Sequence, residues 1–94
     1  MTNYTEFNKA VELLTQKGIA VTVIPSRGGK DGKIAVIEAL QADFAIDPST
    51  YGSQDGLLEA CGDLLDEKEL EKDDVLGWLT AEDVVERVTR AISA

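Results

Sequence analysis

The chain contains no histidine, a single cysteine, two prolines and a single tryptophan. Without histidine there is no Ser-His-Asp or Cys-His nucleophile. With only one cysteine there is also no Cys/His zinc site, no internal disulfide and no CxxC redox pair. Two prolines are too few for a disordered or low-complexity chain, and no apolar run approaches the roughly 18 residues that span a bilayer. The opening Thr2-Asn3-Tyr4-Thr5-Glu6 has neither the basic nor the apolar region of a secretion signal, so a cytoplasmic location is expected. A lone cysteine fits that reducing compartment. Basic side chains are scarce as well: nine Lys and Arg stand against 18 Asp and Glu, a formal charge of −9. Such a surface repels nucleic-acid backbones and anionic membranes, so no direct contact with either is expected.

What remains is enough to fold. Ninety-four residues, 44% of them apolar, make one domain spanning 1–94, since chains usually divide only above about 250 residues. The charge is uneven along it. Residues 1–42 carry net +1, residues 43–83 hold 13 acids against only Lys68 and Lys72, and residues 84–94 carry net +1. This asymmetry bears on partners and association rates, not on fold.

Asn3 and Glu6 have capping-box spacing, and Tyr4, Phe7, Val11 and Leu14 recur as an apolar stripe, which predicts a helix over 4–17 ended by Lys17-Gly18. Ile19 to Ile24 is β-branched and bounded by Gly18 and Pro25, which predicts a strand. Residues 27–33 read as a polar loop containing the turn pair Asp31-Gly32. From Leu40 the chain alternates, with Leu40, Ala42, Phe44 and Ile46 on one side. This favours one long or bent strand over 34–47 pairing back on 19–25, although Ile34, Ile37, Gln41 and Phe44 also fit a helical stripe. After a turn at 47–52, Leu57, Leu58, Cys61, Leu64 and Leu65 have helical spacing, so a helix is expected from Ser53 to Leu65. Residues 66–74 read as a solvated extension or linker. Thr80 with Asp83 predicts a capping box opening a last helix over 81–93, whose apolar side is Val84, Val85, Val88, Ala91 and Ile92. The fold class expected is α+β in α-β-β-α-α order, a small antiparallel β-hairpin sheet with helices packed on one face.

The loop Gly28-Gly29-Lys30-Asp31 is similar to the phosphate loop of PP-loop ATP pyrophosphatases, a resemblance that implies pyrophosphate held by Gly28, Gly29 and Lys30. It reaches only from Arg27 to Gly32, and Arg27 and Gly32 stand where that family has serines. Those enzymes also need a doubly wound domain larger than this chain. A hairpin loop accounts for the same residues, so no cofactor is expected. Cys61 falls on an apolar stripe and reads as a core residue, and the carboxylates lie in polar runs where ordinary pKa values are expected. Neither supports enzyme chemistry. Trp78 is expected in the core, with an exposed partner anchor as the alternative, and Tyr51 is expected at the surface of a turn.

The function expected is therefore a small acidic protein-binding module that meets a basic surface of its partner through Asp55, Glu59, Asp63, Asp66, Glu67, Glu69, Glu71, Asp73, Asp74 and Tyr51. Its most specific form is an inhibitor that occupies a nucleic-acid-binding surface. In size and charge alone it resembles the phage-encoded anti-CRISPR and DNA-mimic proteins. The second reading is a structural or assembly protein acting as a homodimer or a complex subunit.

Overall fold

Helix α1 (Thr5–Gln16) buries Phe7, Ala10 and Leu14, the stripe that its sequence marks out. It ends as Lys17-Gly18 implies: Ile19 N–H donates to Leu14 O and Gly18 N–H to Thr15 O, the paired bonds of a Schellman cap. Its start differs from expectation. Asn3 Oδ1 accepts only the Thr5 N–H, and the Glu6 carboxylate accepts the Ala81 N–H at 2.8 Å. The Asn3–Glu6 capping box therefore does not form, because Glu6 satisfies an orphan donor of a different helix. The structure, a computed structural model, describes residues 2–26 and 31–94.

Five strands follow: β1 (Val21–Pro25), β2 (Lys33–Ile37), β3 (Ala42–Ile46), β4 (Leu58–Gly62) and β5 (Val75–Leu79). They form one antiparallel sheet in the order β1-β2-β3-β4-β5, each strand paired with its neighbour in sequence. Residues 34–47 are thus strand rather than helix. The single strand is broken, however, by a turn at residues 38–41, which folds Ala35 onto Phe44 and Ile37 onto Ala42. The loop residues Arg27, Gly28, Gly29 and Lys30, with the phosphate reading attached to them, lie outside the described residues. Asp31 at its end accepts hydrogen bonds from Thr2 and from the Tyr4 hydroxyl.

The helix expected over 53–65 is overturned. That segment is a single 3-10 turn, Ser53–Asp55, followed by β4, in which Leu58 and Ala60 are buried while Glu59 and Cys61 are half exposed. The period is two, not 3.6. Residues 66–74 are not a linker either: helix α2 (Glu67–Lys72) carries a complete capping box between Asp66 and Glu69. It buries no residue, so its solvated character stands. Helix α3 (Ala81–Ser93) opens on the expected Thr80–Asp83 box and buries Val84, Val85 and Val88, while Ile92 is exposed. The class is α+β with an antiparallel sheet, and the order becomes α-β-β-β-β-α-β-α.

The core lies between the sheet and the α1–α3 pair. Phe7 and Phe44 meet at its centre, their ring centroids 5.4 Å apart, surrounded by Leu14, Ile37, Ile46, Leu58, Val84 and Val88. Each large side chain buried there contributes roughly 1.5 to 3 kcal/mol. Since alternate strand residues face this core, the others must face away from both long helices.

Candidate functional site

The helix-free face is read directly from the register. Thr22, Val36, Asp43, Cys61 and Val75 form one row across the sheet, and Ile24, Ile34, Ala45 and Glu59 form the next. Among the described residues, no strand side chain directed to this face is basic. Lys33 belongs to the other side, where its ammonium sits 4.6 Å from the Tyr4 ring centroid.

At the β5 edge the ladder is irregular. Leu58 pairs with Leu79 and Ala60 with Leu76, so Gly77 and Trp78 together oppose Glu59. This is a bulge, a device that re-aims a side chain. Without it Trp78 would alternate into the core, where its sequence context places it. With it, Trp78 turns outward and is 59% exposed, which overturns the core expectation. Trp78 has φ +57°, the one non-glycine residue with positive φ among those described. Holding a bulky residue there costs about 1 to 3 kcal/mol. The surroundings enforce it: Trp78 N–H donates to Tyr51 O at 3.2 Å, and the rings of Trp78 and Tyr51 stack 5.6 Å apart and 3° from parallel. Gly52, at φ +93°, approaches so closely that a Cβ on it would lie 2.9 Å from the Trp78 backbone. Tyr51 is exposed, as its turn position implies. Beside the pair is a shallow cavity of about 280 Å³, bordered by Pro48, Gln54 and Asp55.

Carboxylates organise the turn that carries Tyr51. Glu59 Oε2 accepts the Tyr51 N–H at 2.8 Å. Burial raises the Glu59 pKa, opposed by that hydrogen bond and reinforced by the nearby charges of Asp47, Asp73 and Asp43. Burial would also raise Asp47, but donors from Ser49, Ser26 and Thr50 outweigh it and leave its pKa lowered. Asp47, Asp73 and Asp43 therefore share one electrostatic neighbourhood with Glu59, the residue that holds the Tyr51 amide.

The acids singled out in sequence divide into two groups. Asp63 accepts the Gln41 N–H, Asp66 caps α2, and Glu69 forms a two-pronged pair with Arg87 at 2.8 Å for each bond. Arg87 holds the Glu69 carboxyl down at about 2. Asp73 accepts the Asp74 N–H. By contrast, Asp55, Glu67, Glu71 and Asp74 accept no hydrogen bond from the described residues and stand in solvent. The stretch is thus not a uniform anionic belt: part of it is structural.

Cys61 is half buried on the helix-free face rather than on a helical core stripe. Its thiol donates to Asp43 Oδ1 at 3.0 Å, and burial together with that carboxylate pushes its pKa up to about 12. It stays protonated at neutral pH and is no nucleophile. Asp43 and Asp47 are the acids of this neighbourhood that the sequence did not assign to it, and it offered the outward Trp78 only as the alternative to a core position. Asp43 was visible as the polar side of an alternating strand, whereas a bulge leaves no periodic signal. No family model matches the chain, and no curated protein and no solved structure matches it either. Among the described residues, no helix is long and apolar enough to cross a membrane.

Proposed function

We propose that the protein is an acidic protein-binding module that presents the helix-free face of its sheet to a basic partner surface, with Trp78 and Tyr51 as the anchor. The observation that carries this reading is the exposed Trp78 held at positive φ. Backbone strain persists only where surrounding structure enforces it, and it concentrates at functional sites. Tryptophan and tyrosine are the side chains that most often dominate binding energy, and here they are surrounded by carboxylates that would steer a cationic partner. Asp43, Asp47 and Asp73 add their charge to that of Glu59, which holds the Tyr51 amide, and Asp55 borders the cavity beside the pair, while Glu67, Glu71 and Asp74 remain exposed and available. Asp63, Asp66 and Glu69 act through the fold.

The partner class that fits is a nucleic-acid-binding protein whose groove normally accepts phosphates, with this chain as the inhibitor that occupies it. The test is capture from the native host with immobilised protein at low and high salt, followed by competition between nucleic acid and this chain for the captured partner. A basic partner released by salt, displaced by nucleic acid and lost with Trp78→Ala is the expected result. A partner bound equally well by Trp78→Ala, or indifferent to both salt and nucleic acid, overturns the reading.

A further inference from the structure

The opposite edge of the sheet has a different character. β1 reads Val21-Thr22-Val23-Ile24-Pro25 and carries no charge, in a chain of which 29% is charged. Val23 and Ile24 are 43% and 42% exposed. Sheet edges are normally blunted by charges, bulges or covering elements, and an uncharged apolar edge is a template for another strand. At the β5 edge the bulge and the left-handed Trp78 interrupt the ladder. At β1, among the described residues, only Pro25 intervenes, at the last position.

The backbone of β1 shows which partner fits. Glu38 N–H donates to Ala20 O and Ser26 N–H to Gly32 O at the two ends of the β1–β2 ladder. Hydrogen-bonded pairs alternate along an antiparallel ladder, so Thr22 and Ile24 also give their backbone groups to β2. The amides of Val21 and Val23, and the carbonyls of Val21, Val23 and Pro25, therefore point away from the sheet.

We infer that β1 pairs with β1 of a second copy of this chain, antiparallel about a two-fold axis at Val23. In that register each Val23 N–H meets the other copy's Val23 carbonyl, and each Val21 N–H meets the other copy's Pro25 carbonyl. Both outward donors of each strand are satisfied. The missing N–H of Pro25 leaves only the Val21 carbonyl without a strand partner, at the end of the ladder. Val23 stands beside its own copy and Thr22 beside Ile24, so no like charges oppose one another despite the net −9 of each chain. The two sheets become one of ten strands. A two-fold contact is self-complementary by construction, as this register is. The inference does not rest on the binding reading above, because Trp78 lies at the other edge.

Sedimentation across micromolar to near-millimolar concentration is expected to show the mass doubling, and more completely at high salt, which screens the repulsion between two anionic chains. Partner binding through carboxylates has the opposite salt dependence. Val23→Lys and Val23→Glu each place two like charges at the axis and are expected to sediment at the monomer mass with an unchanged circular dichroism spectrum. An equimolar mixture of the two variants is expected to recover the doubled mass. In the wild-type chain, amide exchange at Val21 and Val23 should slow as concentration rises, while Thr22 and Ile24 are protected throughout. A wild-type chain that stays monomeric, a dimer that survives Val23→Lys, a mixture that fails to associate, or Val21 and Val23 amides indifferent to concentration would each overturn the inference.

Discussion

Gly77 lies against Tyr51 so closely that a Cβ on it would meet the Tyr51 Cβ at 2.3 Å and the Tyr51 carbonyl oxygen at 2.6 Å. The two segments touch where β5 bulges, and this contact sets the position of the aromatic pair. Gly77→Ala must push the 51–52 turn away from the strand, at a cost of about 1 to 3 kcal/mol. The expected readout is a lower urea midpoint together with loss of the near-ultraviolet dichroism of the stacked rings. An alanine variant with both unchanged would mean that the turn yields freely and does not hold the pair.

Trp78→Gly gives a contrasting result. A buried tryptophan truncated this far costs about 3 to 5 kcal/mol. Here the substitution loses one ring stack, worth about 0.5 to 1.5 kcal/mol, and relieves the strain of a left-handed backbone at a residue that is mostly in solvent. Stability is expected to change by less than about 1 kcal/mol in chemical denaturation, while partner binding falls sharply. A drop of core size would place Trp78 among the residues that hold the fold, and its role as an anchor would be lost.

The Glu69–Arg87 pair gives a signed pH dependence. Glu69 titrates at about 2 in the folded chain against its usual 4.5, because Arg87 donates to both of its oxygens. A folded pKa below the unfolded one stabilises fully above about 4.5, and that contribution disappears as pH falls toward 2. Glu69→Gln is expected to be less stable at neutral pH by about 1 to 2 kcal/mol, a value held down by partial exposure of the pair. The gap from wild type should close between pH 4.5 and pH 2. A gap that is constant over that range would show that the carboxylate charge contributes nothing there.

Cys61 is expected to alkylate slowly. With its thiol pushed up to about 12 by burial and by Asp43, the reactive thiolate is scarce in the folded state, so mildly alkaline iodoacetamide should label unfolded chain faster by a factor on the order of 100 or more. Asp43→Asn removes the carboxylate that accepts the thiol proton and should speed labelling of the folded protein. Equal rates for folded and unfolded chain would rule out the protected thiol.

These features were unequally legible in the sequence. Lys17-Gly18 and Thr80 with Asp83 fixed helix ends because caps are local, and each formed as read apart from the Asn3–Glu6 box, where Glu6 turned to Ala81. The β4 strand was hidden because the doublets Leu57-Leu58 and Leu64-Leu65 imitate helical spacing, while the residue that alternates with Leu58 in the strand is the small Ala60. Helix α2 has no apolar face and showed only as charge. The positions of the acids were plain, yet whether each one caps, pairs or stands free depends on Gln41, Tyr51 and Arg87, which are distant in sequence. Trp78 was least legible, since one extra residue in β5 reverses its direction and nothing in its neighbours announces the insertion.

The meander has a kinetic corollary. Every strand pairs with the one made just before it, so the sheet can grow strand by strand as the chain emerges, with helix α2 inserted before the last strand joins. Helix α1 is different: its apolar stripe packs with α3, and Glu6 reaches Ala81, so the first helix finds its full cover only after nearly the whole chain is present. During synthesis the nascent chain would carry an unfinished hydrophobic layer until α3 clears the ribosome.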